Sequence, residues 1–498
     1  MHYSQAVDEI LAFGTVVLVV AGGLAAALLA LKLTERFPVP GPALLLVVAA
    51  AASDLFPELG RHLSIRNAER IGVVALILIL FDGGMNVGWR RFRSSAFPIA
   101  SLGIAGTFAT AAAIALPAHY FFDFDWTTAW IVGAALAPTD PAVMFSILGN
   151  REVRGRSGTI LEGESGANDP VGIALMIGVL AYATTDHASF WSAFWDFVLA
   201  MGVGGAIGVA SGLALIPIMQ RFLLPTEGLY PLRTLAAALV VYGVATLGHG
   251  SGFLAVFIAG LVIGDVRAPY KAEIERFHKS LASLGEIVVF VVLGLTVSLG
   301  EVGKTSVWLD GLLLALILAV VARPLVVGAL LVPVRLRLGE RMFVFWGGLK
   351  GAVPILLGTL AILEGASGAT RVYGIIFVVV LFSVVVQGSS MPLVASRLGV
   401  PIRVVEQEPW ALSVRLRTEP HHVRRYVVAA RSRAVGGMIR DLPLGERAWI
   451  SLIVRDGEPK PPRGSWVLQA GDEVLVLADS KDARALKRLF EEARPRRT

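Results

Sequence analysis

Long apolar runs dominate the first four-fifths of the chain. Runs of about 17 residues or more fall near 11–31, 40–56, 70–88, 96–118, 127–149, 159–182 and 190–218. Six more fall near 232–249, 251–266, 281–299, 307–333, 342–364 and 371–395, so the pattern predicts about thirteen membrane-spanning helices. They are too long for barrel strands of about ten alternating residues, so the membrane part is α-helical. The split between the eighth and ninth runs, at Gly248-His249-Gly250, is the weakest break.

From about Arg397 the pattern changes. Short apolar stretches at Tyr426–Ala430, Trp449–Val454 and Glu473–Ala478 read as strands, with Asp456-Gly457, Pro461-Pro462 and Ala470-Gly471-Asp472 as turns between them. A helical pattern follows from Asp482 to Glu492. The expected organisation is a transmembrane domain over 1–396, a linker over 397–421 and a small α+β domain over 422–498.

Composition agrees with this pattern. Of 498 residues 55% are hydrophobic and 16% charged, against about 25% charged in soluble domains. That excludes a soluble enzyme, a disordered chain and a nucleic-acid-binding domain. The 53 glycines suit close helix packing in a bilayer. With no cysteine there is no disulfide or thiolate metal site. No Lys or Arg precedes the first apolar run, so no cleavable signal peptide is expected.

Loop charge orients the spans. Odd-numbered loops carry about seventeen Lys and Arg and even-numbered loops about five, which puts the N-terminus outside and the tail in the cytoplasm. The tail holds the excess positive charge behind the net +6.

The chemistry lies in the few charges left at mid-membrane. A charge there costs about 2.5–3.5 kcal/mol on insertion scales. Asp82, Asp140, Glu164, Asp169, Arg323 and Lys350 all sit near the middle of their runs. Pro138-Thr139-Asp140-Pro141 in the fifth run and Gly347-Gly348-Leu349-Lys350-Gly351-Ala352-Val353-Pro354 in the twelfth predict two interrupted helices. Backbone broken at this depth must be buried in protein or line a cavity. Its freed carbonyls, the Thr139 hydroxyl and the carboxylates are hard oxygen ligands suited to an alkali cation. The two breaks lie seven spans apart, as in two inverted six-span repeats joined by the seventh span. Lys350 balances the negative ends of the broken half-helices.

In the sixth run, Ser165 and Asp169 share one helix face and Glu164 and Asn168 another. The first pair can turn to a cation. The second can hydrogen-bond or pair with Arg323, with Glu164 the candidate partner. A carboxylate that holds either a proton or a cation gives the competition an antiporter needs. Glu286 and His249 receive no role.

These motifs resemble the monovalent cation:proton antiporters of the NhaP type. The resemblance rests on Thr139-Asp140-Pro141, Glu164-Ser165-Gly166-Ala167-Asn168-Asp169, Arg323-Pro324 and Gly348-Leu349-Lys350-Gly351, and it covers spans 3–12. It implies exchange of K⁺ or Na⁺ for H⁺ in a bacterial inner membrane, a homodimer in the bilayer, and elevator-like motion of a core carrying the broken helices. It places the ion at Asp82, Thr139, Ser165 and Asp169 with Asp140 close by, and Glu164–Arg323 as the supporting pair. Asn168 resembles the electroneutral branch, one cation per proton. Lys350 departs from the Arg often found in this motif.

The tail resembles an RCK C-terminal (TrkA-C) domain through Gly436-Gly437-Met438-Ile439-Arg440-Asp441-Leu442 and Ala470-Gly471-Asp472-Glu473-Val474-Leu475. That implies regulation, dimerisation and a possible small ligand such as a nucleotide. No resident cofactor and no nucleic-acid partner is expected. Such tails tilt the cation towards K⁺; a Na⁺/H⁺ antiporter for sodium and pH homeostasis is the alternative. Of other classes, an RCK-gated cation channel would need a Thr-Val-Gly-Tyr-Gly type filter, which the sequence lacks. An ion-sensing receptor would not need paired broken helices.

Overall fold

The computed structural model describes residues 14, 21–29, 32, 40–56, 63–140, 151–153, 156–184, 190–400, 402–404, 423–444, 448–455, 458–478 and 483–492. Most of the first apolar run, the second half of the fifth, the Asp456-Gly457 turn and the stretch 405–422 lie outside them. The chain divides into two compact units, 1–406 and 407–498.

The first unit is helical. Its helices are α1 (Gly41–Leu55), α2 (Ile65–Ser94), α3 (Ala96–Phe122), α4 (Trp126–Leu136), α5 (Arg156–Thr184), α6 (Phe190–Arg221) and α7 (Leu229–Leu247). They continue with α8 (Gly252–Gly264), α9 (Lys271–Leu295), α10 (Ser306–Leu330), α11 (Leu338–Trp346), α12 (Ala352–Leu363) and α13 (Ala369–Arg397). Among the described residues, eight helices are long and apolar enough to cross a membrane, and α1, α4, α8 and α12 are shorter apolar helices. The weak break after the eighth run is a real turn: α7 stops at Leu247, His249 takes a positive φ of 57°, and the Ser251 hydroxyl caps α8 by accepting the Leu254 N–H.

Close packing depends on small residues. Gly84 of α2 and Gly260 and Gly264 of α8 face each other's backbones so closely that a methyl group at any of them would overlap the neighbour. At Gly88 α2 kinks through φ 67°, a conformation that glycine adopts without strain. The Asp265 carboxylate at the end of α8 then accepts the Arg90 N–H at 2.7 Å.

The twelfth run shows the expected interruption, and in the fifth the helix stops where the break was expected, the rest of that run lying outside the described residues. Helix α4 ends at Leu136, and Ala137 to Asp140 are non-helical. The twelfth run splits into α11 and α12 around non-helical residues 347–351. Three wider π-helical stretches, Ser101–Gly106, Ile317–Ala322 and Ser383–Gly388, interrupt α3, α10 and α13. Such stretches concentrate at functional sites.

The expected linker over 397–421 starts differently. Ile402–Val404 (β2) pairs antiparallel with Arg151–Val153 (β1), so the first unit keeps the chain to Glu406.

The second unit is an antiparallel four-stranded sheet, order β3-β6-β4-β5, from Val423–Val427, Trp449–Arg455, Glu458–Lys460 and Glu473–Leu477 in chain order. One face carries the amphipathic α14 (Ala483–Phe490), whose Leu486, Leu489 and Phe490 pack on Tyr426, Ile453 and Val474. The three main strands and the helix lie where the sequence pattern put them, within a few residues.

Candidate functional site

The interrupted helices meet. The Asp140 N–H donates to the Leu349 carbonyl at 2.8 Å, joining the two breaks backbone to backbone. Each half-helix that runs into the crossing ends with unpaired carbonyls and a partial negative charge. A buried cation meets each end.

At the end of α4 the cation is Lys350. Its ammonium donates to the Ala137 and Pro138 carbonyls at 2.9 and 2.8 Å, and its side chain is buried. Its own N–H donates to Ser383 Oγ at 2.9 Å, at the start of the π-helical stretch of α13. The freed carbonyls expected as metal ligands are therefore taken by a lysine.

At the end of α11 the cation is Arg323. Its Nε donates to the Phe345 carbonyl at 3.1 Å and its Nη2 to Val344 at 3.3 Å. The same guanidinium grips both oxygens of Glu164, at 2.8 and 3.1 Å, with both side chains 3% exposed. A buried ion pair is stable only when further hydrogen bonds accompany it, and here the two bonds to α11 carbonyls do so. Arg323 directly follows the π-helical stretch Ile317–Ala322.

Glycine makes room for these side chains. A methyl group on Gly351 would overlap the Asp140 carboxylate, and one on Gly348 the Arg323 guanidinium.

The remaining residues sort by helix face. Asn168 donates through Nδ2 to Thr139 Oγ1 at 2.7 Å and accepts the Thr139 N–H at 3.2 Å, pinning the first break to α5. Asp169 is 4% exposed, and its Oδ1 has no hydrogen-bond partner among the described residues. It lies within electrostatic range of Asp140 and Lys350. Ser165, one turn away on the same face, is also 4% exposed. Asp82 on α2 is 8% exposed and accepts from Asn86 Nδ2 at 2.8 Å.

The structure thus brings Thr139, Asp140, Asn168 and Lys350 into one hydrogen-bonded crossing, with Arg323 and Glu164 behind it and Asp169 within charge range. Sequence reasoning missed the Asp140–Leu349 bond, the hold of Arg323 on α11, the Ser383 contact and the proximity of Glu286 to Asp140. Only the last had a signal: a lone Glu in an apolar run.

Residues 23–397 match the family model "Sodium/hydrogen exchanger, transmembrane", and residues 423–491 match the TrkA-C domain. The chain is 34% identical over 439 residues to the K(+)/H(+) antiporter NhaP of Alkalimonas amylolytica, covering 86% of this chain and 75% of the relative. It is 26% identical over 371 residues to the Na(+)/H(+) antiporter NhaH of Halobacillus dabanensis, covering 71% and 90%. The sodium proton antiporter MjNhaP1 of Methanocaldococcus jannaschii shares the fold at a TM-score of 0.67 and 23% identity, over 78% of this chain and 99% of that one. With a family match over most of its membrane unit and a second over its tail, this chain belongs to the sodium/hydrogen exchanger family and carries a C-terminal TrkA-C domain.

Proposed function

We propose that the protein is a secondary active antiporter that exchanges a monovalent cation, K⁺ in the first instance, for H⁺, one for one. The observation that carries this reading is Asp169: a buried carboxylate with an unpartnered oxygen, beside two crossed helix breaks. An ionised carboxylate in that position is costly unless something neutralises it. A proton does so by covalent bonding, and a dehydrated cation does so through Asp169 with Ser165, Thr139 and Asp82 as candidate ligands and Asp140 beside them. The two cannot share the oxygen well, so loading one expels the other.

Charge counting supports electroneutrality. At the crossing Glu164 pairs with Arg323, and Lys350 is the one remaining cation against the two carboxylates Asp140 and Asp169. That set is left with one net negative charge when its carboxylates are ionised, since Asn168 is neutral. One proton or one cation brings the set to the same total, so neither direction of movement carries net charge.

Several features support thirteen spans in two inverted six-helix repeats. The twelfth span is interrupted at 347–351 and the helix of the fifth ends at Leu136 before non-helical 137–140, and the fourth and eleventh both carry a π-helical stretch. Each pair is offset by seven spans, which reverses orientation. Loop charge supports an external N-terminus and a cytoplasmic tail in the bacterial inner membrane. The tail is read as a regulator that binds a small ligand such as a nucleotide, in a homodimer formed through membrane and tail.

The K⁺ preference draws on the relatives at 31–34% identity, which bear K(+)/H(+) names, whereas the Na(+)/H(+) relative is 26% identical. Everted vesicles test both points. A respiration-driven pH gradient should collapse on adding K⁺ more readily than on adding Na⁺ or Li⁺, and an imposed voltage should not change the rate. A steep voltage dependence would overturn the electroneutral reading, and preference for Na⁺ the choice of cation.

A further inference from the structure

We propose that Glu286 is a further cation-binding carboxylate, a vestibule ligand that receives the cation before it reaches the crossing. The proposal rests on the antiport reading above and adds a residue to its route.

Glu286 stands in the apolar second half of α9. It is half-buried, and its Oε1 is fully buried with no hydrogen-bond partner among the described residues. An acid in a lipid-facing or purely structural position would be expected to hydrogen-bond or to be absent. Instead it lies within electrostatic range of Asp140, itself only half-buried and hydrogen-bonded across the two breaks.

Helix α9 also holds a polar stripe that leads to it. At 100° per residue, Glu275, Lys279 and Glu286 lie within about 40° of one another on one face. Glu275 and Lys279 are exposed, and both lie within electrostatic range of Asp82 on α2. The Gly285 backbone rests against Ala75 of α2, so the two helices run in contact at this depth. The face thus passes from exposed charges at the polar end of α9, beside Asp82 and Asn86, to a lone deep carboxylate near Asp140. A partly dehydrated monovalent cation needs oxygen ligands along such a route, and Glu286 offers Oε1, which has no hydrogen-bond partner among the described residues.

The full-length protein in everted vesicles tests this, with initial exchange rates measured against K⁺ concentration at fixed pH. Glu286→Gln keeps the shape and removes the charge. Its apparent KM for K⁺ should rise about tenfold, the scale of one partly screened unit charge, with the effect on KM rather than on maximal rate. Glu286→Asp should restore most of the affinity. An unchanged KM in Glu286→Gln would overturn the proposal. So would loss of maximal rate in both variants, which would mark a structural residue. The wild-type chain in the same vesicles separates the two readings: no exchange there refutes antiport itself, whereas normal wild-type exchange with an unaltered Glu286→Gln KM refutes only the vestibule site.

Discussion

Arg323 and Glu164 form a two-pronged, fully buried ion pair across 159 residues of sequence, and Arg323 uses its other donors to hold the end of α11. The pair is both an electrostatic lock and a helix cap. Glu164→Gln therefore leaves a buried guanidinium without its carboxylate counter-charge, held only by the α11 carbonyls. Removing one partner of a buried pair costs about 3–5 kcal/mol. The thermal midpoint of the purified protein should fall in Glu164→Gln and in Arg323→Gln. The double variant should lose less than the two single losses summed.

Lys350 does the equivalent task at α4. Lys350→Met keeps the length and removes the donor from two buried carbonyls, each costing about 1–3 kcal/mol when left unpaired. Exchange in vesicles should fall more than tenfold, about 1.4 kcal/mol of barrier. Wild-type exchange in this variant would mean that the α4 end does not need its cation.

The glycines at the crossing give a steric test. Gly351→Ala would push into Asp140 and Gly348→Ala into Arg323, whereas Gly243→Ala on α7 meets nothing within 4 Å. The first two should insert in the membrane and lose exchange. Gly243→Ala should match wild type. Activity in Gly351→Ala equal to that of Gly243→Ala would contradict the tight fit around Asp140.

The tail carries its own buried lock. Arg455 donates to both oxygens of Asp472 at 2.8 Å, and the Gln469 N–H adds a third bond at 2.8 Å. Burial alone would raise the Asp472 carboxyl, but these bonds outweigh it and hold the group below the usual carboxylate range. A depressed native value stabilises the domain above the unfolded value of about 3.9, and this stabilisation is lost as pH falls through the native value. Asp472→Asn should remove about 1.5–3 kcal/mol at neutral pH and flatten the acid limb below about pH 4. Hydrogen exchange of β4 and β6 in the full-length protein reads this directly; unchanged protection would contradict it.

Much of the site was legible because mid-membrane charges are costly and therefore rarely accidental. The Glu164–Arg323 pair, the breaks at Thr139-Asp140 and Gly347–Gly351, and the placement of Lys350 at a half-helix end followed from that rule and from Gly and Pro chemistry. What stayed hidden depended on which long-range neighbour arrived. The Ala137 and Pro138 carbonyls were free to take a metal until a lysine more than two hundred residues away took them. Asn168 and Thr139 looked like independent polar groups until they bonded to each other. The π-helical stretches before Arg323 and at Ser383 leave no pattern in a single sequence. Glu286 was visible as a charge but gained meaning only beside Asp140.

Asp169 is the centre of the account, and one measurement tests it most directly. Everted vesicles with equal amounts of inserted wild-type and Asp169→Asn protein are energised to form a pH gradient, and K⁺ is then added. The wild-type gradient should collapse. The Asp169→Asn gradient should persist, because the amide can hold neither the transported proton nor the compensating charge for a cation. Collapse at the wild-type rate in Asp169→Asn would contradict the claim that cation and proton compete for this carboxylate.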